Sequence, residues 1–236
     1  MPGAALVTGG ASGIGRATVY ALAARGYTVA IDHIGRDTEA KQVANDTGGL
    51  AYEADVADLE AMDQLVASVE MDLGPIEVAV ACAGFDAEVS LEGVTPELSH
   101  RSLRVILGGC VNMIATVGPR MRARQGGSIV GISSELALLG DAGHVPYVTA
   151  KSAMIGLIRS AAREYGPDQV RLNVVAPGPT DTELLTERWR EPDYVNGVPL
   201  RRLGTPEELA RAIVDVAEWT WLTGQVVSPN GGVVIQ

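Results

Sequence analysis

The chain has 236 residues, 47% hydrophobic and 20% charged, enough to bury one α/β core without disulfides or a structural metal. A formal net charge of −11 repels phosphate backbones and anionic bilayers, which excludes unassisted nucleic-acid or membrane partners. The two cysteines, Cys82 and Cys110, lack the spacing of a zinc site or a redox pair, so a reduced, cytoplasmic setting is expected.

In chain order, short apolar runs alternate with longer segments of helical period. Strands are predicted at 4–7, 28–31, 51–54, 78–81, 128–132, 171–175 and 225–227. Helices are expected between them, with clear three- and four-residue apolar spacing at 59–69 and 150–165, and Gly26, Gly74, Gly126 and Gly166 stand where helices should stop. No signal-like leader and no membrane-length apolar run is read. The alternation predicts one domain over 1–236, a Rossmann-like doubly wound parallel sheet with helices on both faces. Ligands of such sheets bind beyond the strand C-termini.

The first such position holds Thr8-Gly9-Gly10-Ala11-Ser12-Gly13-Ile14-Gly15, between a strand and a helix. Glycines there permit a tight turn and a close backbone approach to a pyrophosphate at a helix start, so Thr8, Gly9, Ser12, Gly13, Ile14 and Gly15 are predicted cofactor contacts. Asp32 ends the second strand, 17 residues past Gly15. A carboxylate at that spacing accepts from ribose hydroxyls and repels a 2′-phosphate, which predicts NAD over NADP. Arg16 and Arg36 keep the NADP alternative open. Asp55, with Val56, follows the third strand, either as an acceptor for the adenine amino group or as the cap of the helix starting near Leu59. Ala83 and Gly84 are small enough to lie against an adenosine.

Tyr147 and Lys151 lie four residues apart on one predicted helix face. A free phenol titrates near ~10, and a fixed ammonium nearby is expected to lower that value toward a useful acid/base range. Ser134 ends a strand 13 residues earlier, placed to hold a substrate oxygen.

With these motifs in this order, the sequence resembles the short-chain dehydrogenases/reductases of the shorter, single-domain type, over essentially its whole length. The likeness extends to Pro177-Gly178 followed by Thr182, to 201–208, and to the closing Thr223-Gly224-Gln225 with Gly231-Gly232. It implies that Tyr147 is the general acid/base, that Lys151 binds the nicotinamide ribose, and that Ser134 orients the carbonyl. Thr182 would bond the carboxamide beside the Pro177-Gly178 turn. The implied activity is hydride transfer between NAD, or alternatively NADP, and a small secondary alcohol or ketone. A 3-oxoacyl thioester reductase using NADPH and a weakened cofactor-binding scaffold are the alternatives, and a homotetramer or homodimer is implied. Two departures stand out. The usual Asn-Asn/Cys-Ala-Gly segment reads Ala81-Cys82-Ala83-Gly84, and the position of the family's catalytic asparagine falls on Ile106, in a helix expected over 103–121.

His33, His100 and His144 are too scattered for a ligand set, so no metal is expected, and surface or loop positions are expected for His33 and His144. Glu135 is read either as reaching the cleft or as structural. The segment 183–199, with Trp189 and Tyr194, is long enough for a substrate lid. Trp219, Trp221 and 233–235 are expected in the core or at a subunit contact.

Overall fold

The computed structural model describes residues 2–235. All five residues of β1 (Ala4–Thr8) are buried, as a strand covered on both faces must be. The other strands in chain order are β2 (Thr28–His33), β3 (Leu50–Glu53), β4 (Ile76–Ala81), β5 (Gly127–Ile132), β6 (Val170–Val175) and β7 (Val226–Val227). These strands form one sheet in the order β3-β2-β1-β4-β5-β6-β7, every pair parallel. The order reverses between β1 and β4, which opens a crevice above their C-terminal ends.

Strand residues alternate between two apolar layers. Ala4, Leu6, Ala79 and Ala81 face α3 (Leu59–Leu73), α5 (Gly109–Ala123) and α7 (Val145–Tyr165). Ala5, Val7, Val78 and Val80 face α1 (Gly13–Ala24), α2 (Asp37–Thr47) and α9 (Pro206–Glu218). Local chemistry sets the helix limits. Asp58 accepts from the N–H groups of Glu60 and Ala61 to cap α3, and Thr205 with Glu208 forms a reciprocal capping box on α9. Asp55 is therefore not the helix cap; its Oδ1 takes the Ala57 N–H at 2.9 Å in the preceding turn. α7 begins five residues before the expected 150, with Pro146 in its first turn.

The predicted helix at 103–121 is the largest local difference. α4 (Pro96–Ser102) runs into a widened π-helical turn at Leu103–Gly108 and then into α5. Such turns re-aim side chains and recur at functional sites. The whole run Pro96–Ala123 is long and apolar enough to cross a membrane by composition, but half of its most apolar window is buried in this fold. Ile106, Met113, Val117 and Met121 pack there in the α3/α5/α7 layer. Between β6 and α9 the segment 183–199 contains a short turn at Glu187–Arg190 and the short helix α8 (Pro192–Gly197).

Candidate active site

The glycine loop is shaped by contacts that leave no room for a side chain. Gly9 has φ +65°, and a Cβ on it would stand 2.9 Å from the Ala83 Cα; a Cβ on Gly15 would overlap the Gly9 carbonyl. Thr8 ties the two sides of the crevice together. Its Oγ1 donates to the Val80 carbonyl at 3.4 Å and accepts from the Cys82 and Ala83 N–H groups at 3.2 and 3.3 Å. The loop then opens directly into α1, whose first N–H groups lack a side-chain cap at Ser12. Free N–H groups at a helix start, with no Cβ in the way, fit a dinucleotide pyrophosphate.

A cleft of about 430 Å³ rises above this loop. Of the predicted cofactor contacts, it brings together Gly9, Ser12, Gly13, Ile14, Gly15, Ala83, Gly84, Tyr147, Lys151, Pro177, Gly178 and Thr182. Thr182 sits over the loop, 3.5 Å from where a Gly13 Cβ would be. Thr8, Asp55 and Val56 lie outside the lining: Thr8 is buried beneath it, Asp55 is exposed on its own turn, and the Val56 carbonyl holds Asn112 at 2.8 Å.

Asp32 requires correction. It does not line the cleft, whereas Arg36 does. Asp32 is 1% exposed and its Oδ1 has no hydrogen-bond partner. Burial raises its pKa well above the usual carboxylate value, against opposing pulls from the Ala54, Gly9 and His33 N–H groups. A carboxyl whose folded-state pKa is raised favours folding fully only below its unfolded pKa, and that contribution is lost as pH rises through the folded value. Asp32→Asn is therefore expected to match the parent in thermal midpoint near pH 4 and exceed it near pH 8, with cofactor affinity retained. Loss of affinity without a pH-dependent gain in stability would restore Asp32 to the ribose.

The chemical residues meet on the other side of the cleft. Tyr147 and Lys151 share one face of α7, and Ser134 follows β5, just ahead of the short helix α6 (Leu136–Leu139). The Lys151 ammonium lies 5.6 Å from the Tyr147 ring centroid and donates to the Ile132 carbonyl at 2.6 Å. The expected lowering of the tyrosine pKa is not present in the protein alone. Burial pushes the phenol above its ordinary value, the facing Ser134 hydroxyl pulls it down in part, and Glu135, Asp86 and Cys82 push it up again. Burial also lowers the Lys151 pKa. Two desolvated groups in a low-dielectric pocket each resist ionisation, so a cationic nicotinamide would have to supply the missing positive potential.

Ile106 occupies the place that the resemblance gives to asparagine. It is 1% exposed, and a Cβ on Gly84 would touch both Ile106 Cγ1, at 3.6 Å, and Lys151 Nζ, at 3.7 Å. Glu135, left open by the sequence, lines the cleft at 6% exposure and accepts from Ser134 Oγ at 3.0 Å. Burial moves its pKa up to about 7.

The segment 183–199 was expected as a lid, but the cluster beneath it was not legible in advance. His144, expected at a surface or loop position, lies in the loop before α7 but is fully buried, with Nδ1 2.7 Å from Asp141 and Nε2 3.2 Å from Asp86. Arg188 bridges Glu88 and Asp141 at 2.7 and 2.9 Å, and Trp189 packs edge-on against Tyr194 with centroids 4.5 Å apart. Trp189 lines the cleft, which selects the pocket reading for it. His33 is buried as well, whereas Trp219, Trp221 and Ile235 are exposed at 58%, 93% and 89% and do not join the core. No local sequence signal marks the His144 cluster, since its members come from three separate segments.

A parallel sheet whose reversal point carries a glycine-lined helix start, facing a Ser–Tyr–Lys set, defines an oxidoreductase that binds a nicotinamide dinucleotide. A family model described as enoyl-(acyl carrier protein) reductase matches residues 9–234. The chain is 37% identical over 233 residues to an acetoacetyl-CoA reductase of Shinella zoogloeoides, covering 97% of each. It is 35% identical over 239 residues to a 3-oxoacyl-acyl-carrier-protein reductase of Thermotoga maritima, covering 98% of this chain and 97% of the other. A solved blue fluorescent protein from a metagenomic library, in complex with NADPH, superposes with a TM-score of 0.92 at 30% identity, covering 99% and 98% of the two chains. This chain belongs to the short-chain dehydrogenase/reductase family and acts as an oxidoreductase on the C=O/CH–OH pair.

Proposed function

We propose that the protein is an NADP(H)-linked reductase of a small, diffusible ketone of the 3-oxoacyl thioester kind. The observation that carries this reading is the convergence of Ser134, Tyr147 and Lys151 with the glycine loop in one cleft. Two relatives carry reductase names for such thioesters, and one structural neighbour holds NADPH. Arg36 at the cleft, with Asp32 withdrawn beneath it, favours a 2′-phosphate. The net charge of −11 disfavours an acidic carrier protein as the thioester's bearer and leaves a free ketone or a coenzyme thioester.

In this reading the glycine loop and the α1 start hold the pyrophosphate, and Lys151 and Thr182 hold the nicotinamide end. The bound nicotinamide supplies the hydride. Ser134 holds the substrate oxygen beside Tyr147, whose O–H gives its proton to that oxygen as the carbonyl carbon is reduced. Trp189 and the apolar Leu184 and Leu185 of the lid exclude water around them. The cytoplasmic setting, and self-association through the exposed Trp219, Trp221 and C-terminal segment, belong to the same proposal.

Glu183 favours a second reading, because it pairs with Arg36 at 3.0 Å and would meet a 2′-phosphate there. That reading is NAD-linked oxidation of a secondary alcohol. Fluorescence titration separates the two: NADPH is expected to bind at least ~10-fold more tightly than NADH, a difference of about 1.4 kcal/mol. Equal or tighter NADH binding selects the NAD reading. Steady-state assays with acetoacetyl-CoA and a panel of simple ketones then test the substrate class.

A further inference from the structure

The reduction proposed above consumes one proton per turnover, and Tyr147 must be recharged within the cleft. The lysine side offers it no route. Lys151 is 4% exposed, its hydrogen-bond acceptor among the described residues is the Ile132 carbonyl, and Gly84, which the buried Ile106 also touches, lies beside its ammonium. Cys82 and Cys110 complete that surrounding, with thiol pKa values pushed by burial to about 11 and about 12, so neither exchanges protons at neutral pH.

The other side of Tyr147 is built differently. The Ser134 hydroxyl faces the phenol. Ser134 Oγ accepts the Leu136 N–H at 3.1 Å and donates to Glu135 Oε2 at 3.0 Å. Glu135 is itself fixed, its N–H held by the Pro177 carbonyl at 2.9 Å, and its side chain reaches the cleft. The ionisable groups that face it are Tyr147 of α7, Asp141 of the turn before α7, and Tyr194 of α8; among the described residues it has no cationic partner. A buried carboxyl among acids and phenols, with no ammonium or guanidinium to hold its charge, is a group that trades its proton easily near neutrality.

We propose that Glu135 is a positioning and proton-relay residue for this reaction, passing a proton through Ser134 to Tyr147 and so replacing a route from the lysine side. In reduction, the Tyr147 O–H bond breaks as the substrate O–H forms, and the electron pair arrives as hydride from the reduced nicotinamide. The Ser134 O–H then gives its proton to the phenolate and takes one from the Glu135 carboxyl. Solvent at the cleft restores Glu135. Oxidation runs the same transfers backwards and needs Glu135 ionised at the start. A hydroxyl has one proton, so an ionised Glu135 also claims the donor that Ser134 must present to the carbonyl.

The sign of the pH dependence follows. With the Glu135 pKa near 7, reduction is fastest with the carboxyl protonated and declines as pH rises through about 7, while oxidation gains over the same interval. This inference rests on the proposed ketone reduction, and the experiment separates the two. Wild type and Glu135→Gln are compared in kcat and KM across about pH 5 to 9, with and without added imidazole as a diffusible proton carrier. Glu135→Gln is expected to lose roughly ~10–100-fold in kcat with KM little changed, to lose the pH limb near 7, and to regain rate as imidazole is raised. A rise in KM with kcat intact, a surviving limb, or no response to imidazole overturns the relay. Infrared titration of the cofactor-free proteins gives a reading independent of turnover. The wild-type minus Glu135→Gln difference spectrum, in which Asp32 and the other raised carboxyls cancel, should show a protonated-carboxyl band that fades between about pH 6 and 8; no such band at the acid end overturns the inference too. If wild type reduces no ketone with either nicotinamide, the proposed function fails instead, and the infrared result still reports on Glu135.

Discussion

Tyr147→Phe is expected to slow turnover by roughly ~10²–10⁴-fold while leaving cofactor binding in place. The substitution removes one oxygen and keeps the ring, which packs half-buried against the α3/α5/α7 layer, so the fold has little reason to change. What disappears is the O–H that the substrate oxygen would meet beside Ser134. The raised phenol pKa sharpens the expectation: before cofactor binds, Tyr147 is a neutral donor, suited to protonating a carbonyl and poorly suited to deprotonating an alcohol. The deficit should therefore appear in single-turnover reduction as well as in the steady state. Fluorescence titration with NADPH checks that the site survives. A variant that keeps its rate removes Tyr147 from the mechanism.

The second large effect is expected at Gly15. Its added Cβ would overlap the Gly9 carbonyl oxygen and stand 2.9 Å from the Gly9 carbonyl carbon. The loop cannot retreat, because the Gly10 N–H is held by the Asp32 carbonyl at 2.9 Å and Gly9 already abuts Ala83. Gly15→Ala should cost about 1–3 kcal/mol of stability as overpacking against backbone. Dinucleotide affinity should fall by more than ~10-fold, since the displaced N–H groups are those that meet the pyrophosphate. Gly156 is the control. It is exposed on α7 with open space around its Cβ position, and Gly156→Ala should stabilise by about 0.5–1 kcal/mol without touching affinity. Chemical denaturation and cofactor titration on the three proteins decide the matter. Undiminished affinity in Gly15→Ala would mean that the loop does not cradle the nucleotide.

The positions of the strands, the glycine loop before α1, and the pairing of Tyr147 with Lys151 were all legible in the chain, because each depends on neighbours within a few residues. A five-residue buried strand, a turn that tolerates only glycine and a four-residue helical spacing are local demands. Asp32 shows where local reading stops. Its strand parity is that of Ala30, which faces the α3/α5/α7 layer, but only the assembled sheet shows that this parity leaves the carboxyl buried and outside the cleft. The π-helical turn that carries the buried Ile106 has no periodic signature either, since a single widened turn is too short to set a period of its own.

The sequence by itself thus determined the fold class, the family and which side chains were candidates for the site. Tertiary structure alone decided their protonation: which groups are dry, which face one another, and which carry an unpaired charge. Burial and contact between distant segments set those properties, as the raised pKa values of Tyr147 and Glu135 show. The free energy of an ionised group depends on everything within several ångströms of it, and those neighbours are brought together only when the chain has folded.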